Sequence, residues 1–149
     1  MKKEIVQLTH DFSDDRGEVP AHRHTNPDSS VGGWVAETAS VENTCYIDEH
    51  AKVFGNARVF ENTWVSGDAR VFGNARVYEN AWVFGDAKVY GDAGVFGDAK
   101  VFGNARVYGD AGVHGNAQVY GDAEVYENVG VFGNTLVSGY AKVFENTLV

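Results

Sequence analysis

From residue 35 to residue 149 every sixth position is valine, with isoleucine at 47 as the one exception. No insertion or deletion interrupts the series. The unit Val53-Phe54-Gly55-Asn56-Ala57-Arg58 serves as a template. Its fifth position is small, mostly Ala, with Cys45, Thr63, Val129, Thr135 and Thr147 as departures. The third and fourth are usually Gly-Asn or Gly-Asp, and the second is aromatic in thirteen of nineteen units. Ala-x-Val reads as a short strand, with Ala and Val on one face and x on the other. Phe-Gly-Asn reads as a turn, because Gly accepts positive φ without penalty and Asn or Asp bonds nearby backbone.

The outward x position sets the size of a coil. Trp64 and Trp82 are 18 apart, as are Gly94, Gly112 and Gly130. Lys52, Arg70, Lys88 and Arg106 step by 18 as well, and so do the turn pairs Glu61/Glu79 and Glu127/Glu145. Three units per coil aligns all these columns, whereas two or four would scramble them. The expected shape is a triangular prism of about six parallel coils, rising roughly 4.8 Å per coil. Each buried Val contributes roughly 1.5–3 kcal/mol against exposure, most of it cancelled by backbone entropy.

Composition narrows the setting. The 149 residues suffice for one domain. Val, Ala and aromatics dominate while Leu and Met are scarce, which favours strands over helices. A single cysteine forbids an intrachain disulfide and fits a reducing cytoplasm. The start, MKKEIVQLTHDF, lacks the apolar run of a signal peptide, and no stretch is long enough to span a membrane. The net charge is −9, with −6 in residues 1–50 and −3 in residues 51–149. That balance argues against non-specific nucleic-acid binding, which needs phosphate neutralisation, and leaves room for a basic partner.

These residues resemble the hexapeptide-repeat pattern of left-handed parallel β-helix proteins, over about 115 of the 149 residues. Gly32-Gly33-Trp34-Val35, leading into the repeats from Ala39 to Ala57, is similar to a group of phage and bacterial proteins often labelled acyltransferases. The resemblance implies a left-handed coil, against the usual crossover rule. It also implies an acyltransferase alternative using acetyl-coenzyme A. Such enzymes typically extrude a loop from the helix, use a His as general base, and build sites between subunits of a trimer. No loop interrupts this repeat after residue 35. Residues 1–34 are expected to form a strand or short irregular cap, using Ile5, Val6 and Leu8, over a helix of residues 35–149. A cap is needed because an open solenoid end exposes core and unpaired backbone. At the other end the repeat stops without a cap, which suggests cover by another subunit or a truncated chain.

The candidate residues follow from this frame. His114 stands where an aromatic otherwise sits and is the one candidate general base, though it reads more readily as a corner residue; His50 occupies a turn. His22 and His24 form an H-x-H pair that could hold a metal, with His10 upstream, but relatives with hydratase activity use three His in a spacing absent here. Stacked turn carboxylates such as Asp92 with Asp110 and Asp68 with Asp86 are expected to bond their own turns. Lys52, Arg70, Lys88, Arg106 and Lys142 form a basic stripe interrupted by Glu124, read as a solvated ladder rather than a polyanion track. Tyr46, Trp64 and Trp82 form an outward aromatic column that a partner could cover. The third column reads Ser40, Arg58, Arg76, Gly94, Gly112, Gly130, Leu148. Its three glycines weaken a strand and suggest close approach by another backbone. With Leu136, Leu148 and Val149 they make a candidate self-association surface. Cys45 is expected to be a buried core thiol. The whole reads as a non-catalytic structural or interaction module. It is expected to be a homo-oligomer, dimer or trimer, without cofactor, and a phage-encoded binder of a host protein is one form of that reading.

Overall fold

The computed structural model describes residues 7–145 and 149, and every regular element among them is a β-strand. The six-residue unit appears as a two-residue strand followed by a turn. In Lys52–Val53 the Lys is half-exposed and the Val buried, and the pattern repeats along the chain. The Val positions from 53 to 131 are 0–1% exposed and, with the small residues between them, form one continuous core.

Eighteen residues make one coil. Arg76 pairs in parallel with Arg58 on one side and Gly94 on the other; Trp82 pairs with Trp64 and Lys100, and Lys88 with Arg70 and Arg106. Three sheets result, of nine, six and six strands, running along the three sides of the prism. The turns behave as the composition requires. Gly91 has φ of 66°, and a Cβ there would lie 2.8 Å from the nitrogen of Gly109 in the next coil. Glu61, Glu79, Glu127 and Glu145 also take positive φ, at 63°, 61°, 60° and 64°. The corner aromatics stack along the axis: Phe54, Phe72, Tyr90 and Tyr108 follow one another at centroid spacings of 4.8 to 4.9 Å.

The N-terminal region, expected as a strand or short irregular cap, holds three strands. Strands β1 (Thr9–Asp11), β2 (Glu18–Thr25) and β3 (Val31–Ala36) form an antiparallel meander. β3 then pairs in parallel with Lys52–Val53, so the meander extends the nine-stranded sheet. Ile5 and Val6 lie outside the described residues, and Leu8 is 50% exposed. Phe12 does the packing instead. It is 1% exposed and stacks on Phe54 at 4.8 Å, above the corner where the repeat places the small Ala36. His10 stacks on Trp34 in the same way, at 4.8 Å.

Tyr46–Ile47 is the first strand of its sheet and has no strand above it. Its free backbone is met by side chains. The Ile47 N–H donates to Asn26 Oδ1 at 2.8 Å, and Asn26 Nδ2 donates back to the Ile47 carbonyl at 3.1 Å. His24 Nε2 donates to the Cys45 carbonyl at 2.8 Å. One coil further on, the Thr63 and Val65 carbonyls accept instead from the backbone of Tyr46 and Asp48. Asn26 and His24 therefore stand in for the backbone of a missing coil, and both are 4% exposed.

Candidate interaction surface

Each side of the prism carries one outward column. On the first, Trp34, Lys52, Arg70, Lys88, Arg106, Glu124 and Lys142 are in register. Glu124 lies 3.9 Å from Arg106 and 4.0 Å from Lys142, so the carboxylate that interrupts the stripe neutralises part of it. The second side carries Tyr46, Trp64, Trp82, Lys100, Gln118 and Leu136. The rings of Tyr46, Trp64 and Trp82 stack at 4.6 and 5.7 Å, and Lys100 Nζ sits 5.4 Å from the Trp82 ring centroid. Their faces cover one another, yet Trp64 and Trp82 remain 45% and 43% exposed at their edges.

The third side is a step. Ser40, Arg58, Arg76, Gly94, Gly112 and Gly130 run in register along it. Arg58 and Arg76 are exposed and project from one half, while the glycine half is bare backbone. An open hollow of about 600 Å3 at the step is lined by Arg58, Arg76, Tyr78, Asp92 and Gly94 among others.

These glycines differ from those in the turns. A Cβ at Gly112 would meet nothing within 4 Å, and one at Gly94 would meet only the Phe96 ring at 3.9 Å. Neither has positive φ. Glycine in a strand weakens it by roughly 0.5–1 kcal/mol relative to Ala. The chain's own packing gives no return for that weakness at either position.

The structure separates the proposed interface residues. Gly94, Gly112 and Gly130 come together, but Leu136 lies on the aromatic side, 59% exposed. Val149 continues the glycine side, its N–H donating to the Gly130 carbonyl at 2.9 Å. Leu148 lies outside the described residues.

A family model for the YdcK β-solenoid repeat matches residues 51–67, 69–85 and 99–115. Each match spans 17 residues, close to one coil, and the second begins 18 residues after the first. The chain is a repeat β-solenoid. No curated protein matches it.

Within the solenoid the remaining candidate residues have structural surroundings. The His114 ring lies between Phe96, at 4.7 Å, and Phe132, at 5.6 Å, inside a corner stack, and its buried Nδ1 has no hydrogen-bond partner among the described residues. His22 is bonded through Nδ1 to Glu37 at 2.6 Å, while His24 is held by the Cys45 carbonyl. Among the described residues no three potential metal ligands cluster. The turn amides and carboxylates bond along their columns, Asn74 to Asp92 and Asn104 to Asp122, each at 3.1 Å. Cys45 is fully buried, and burial raises its thiol to about 11. No described helix is long and apolar enough to cross a membrane.

The capping role of Asn26 and His24 is invisible in the spacing, because the partners belong to a strand 21 residues away. It gives His24 a pH signature. Burial pushes its pKa below the ordinary value of 6.5, outweighing the opposing effect of the Cys45 carbonyl, and His22 adds to the lowering. As pH falls below that ordinary value, the unfolded chain takes up a proton that the folded imidazole refuses. Stability should therefore fall with decreasing pH from about 6.5 to the folded value and level off below it. His10 is shifted the same way, chiefly by burial. Urea midpoints against pH should show a shallower slope in His24→Gln, which removes one of the two groups; an unchanged slope would leave His24 outside the effect.

Proposed function

We propose that this solenoid is an interaction module that self-associates through its glycine side. The observation that carries the reading is the room at Gly94 and Gly112. A small side chain would fit there without strain, so the bare backbone serves something outside the chain. The step of the two arginines against the glycines gives this side a relief that a partner's surface can follow.

Gly94→Thr combined with Gly112→Thr tests this. Threonine has high strand propensity and meets open space, so the monomer should gain up to about 1 kcal/mol per site. Association should be lost, read by light scattering after gel filtration. A wild type that stays monomeric at high concentration overturns the reading, and so does a double variant that associates like the wild type.

A second reading rests on the exposed edges of Trp64 and Trp82, which suit a protein partner such as a host protein. Acyl transfer has less support. Its one candidate base, His114, is packed between two phenylalanine rings, and calorimetry with coenzyme A addresses it directly.

A further inference from the structure

The glycine side carries charges in an order that fits a second copy of itself. Arg58 and Arg76 occupy the half nearer the N-terminus, and neither is in an ion pair among the described residues. The glycine half is flanked by Asp92 and Asp110, two residues before Gly94 and Gly112 and both exposed. Asp92 accepts one bond from Asn74 at 3.1 Å, which leaves acceptor capacity on the carboxylate.

The six strands of this side run in the order Ser40, Arg58, Arg76, Gly94, Gly112, Gly130. A twofold axis lying in the interface, parallel to the strands, would run midway between the strands of Arg76 and Gly94. It sets Arg76 of one copy over Gly94 of the other, Arg58 over Gly112, and Ser40 over Gly130. Each arginine then lies across bare backbone, with its guanidinium directed at Asp92 or Asp110 of the facing chain. One operation satisfies four arginines and four aspartates, because an isologous contact repeats every pairing twice. A copy arranged parallel, level against level, would instead set arginine against arginine.

We infer that two copies of this chain pack antiparallel through this side, with Arg58 and Arg76 of each seated over the glycines and paired with Asp110 and Asp92 of the other. The inference rests on the self-association proposed above and adds its symmetry and charge pairing. The side is at most about 25 Å long and 20 Å wide, so it covers roughly 500 Å2 per copy at ordinary strand dimensions. That falls short of the roughly 800 Å2 of a standard interface, so the dimer is expected to be a weak one, seen at high protein concentration.

Charge reversal separates the possibilities. Arg58→Asp/Arg76→Asp and Asp92→Arg/Asp110→Arg change exposed side chains and should keep the wild-type far-UV spectrum. Each should weaken homodimerisation at least about tenfold, since like charges now face one another. The second variant reduces the magnitude of the net charge of −9, so its loss of dimer cannot come from overall repulsion. An equimolar mixture of the two should form a 1:1 heterodimer. The chain carrying all four changes should dimerise like the wild type.

If Gly94→Thr/Gly112→Thr abolishes the dimer while both reversals leave it intact, self-association through this side stands and the antiparallel pairing is wrong. A mixture or fourfold variant that stays monomeric also overturns the pairing. A monomeric wild type removes both.

Discussion

Gly33→Ala should pull the N-terminal meander off the first coil. A Cβ at residue 33 would fall 1.9 Å from the Ala51 carbonyl oxygen and 2.7 Å from that of Asp48. Both obstacles are backbone in the turn below β3, so no side-chain rotation relieves them. The alternative is to lift β3, and β3 is paired on one side with β2 and on the other with Lys52–Val53. Overpacking of this kind costs about 3 kcal/mol. For a chain of this size that corresponds to a fall in Tm of roughly 6–12 °C. Thermal melting followed by circular dichroism checks it. A variant melting with the wild type would show that the backbone at 33 yields freely.

The contrast between Gly33 and Gly112 marks how far the sequence can be read. Periodicity gives the coil, because a residue in a solenoid meets its own counterpart 18 positions away, and the register of Trp64 with Trp82 follows from counting. The same count places Leu136 three coils beyond Trp82, on the aromatic side. Grouping it with the glycines followed its nearness to the end of the chain rather than its column. What counting cannot give is contact between the repeat and residues that do not repeat. Phe12 completes an aromatic stack, Asn26 replaces a strand, and Gly33 passes over a carbonyl, each through a contact made once. Whether a glycine is required by its own chain is likewise a question of where a Cβ would go. The glycine columns look alike in the sequence. In space a Cβ at Gly91 would press on Gly109, whereas one at Gly112 would stand in the open.

Asn26→Ala should fray the solenoid from its N-terminal end. The Asn26 side chain makes both an acceptor and a donor contact with Ile47, and Ile47 is 0% exposed. Alanine leaves the Ile47 N–H and carbonyl without those partners at a site closed to water. Each buried unsatisfied group costs about 1–3 kcal/mol, which puts the substitution near 3 kcal/mol for the pair. Gly32 fixes the arrangement from the other side: a Cβ there would lie 2.4 Å from the Ile47 carbonyl oxygen and 3.0 Å from Asn26 Nδ2, so the site leaves no room for a side chain at residue 32. Coils in a solenoid contact only their neighbours, so the damage should stay local. Hydrogen exchange should show the Ile47 amide losing most of its protection while Val101 and Val107, three coils on, keep theirs. Asn26→Asp retains the acceptor for the Ile47 N–H but turns a carboxylate toward the Ile47 carbonyl in place of a donor. It should protect the Ile47 amide better than alanine does and still melt below the wild type. Equal protection at Ile47 in Asn26→Ala and the wild type would mean that this strand edge is satisfied by something other than the asparagine.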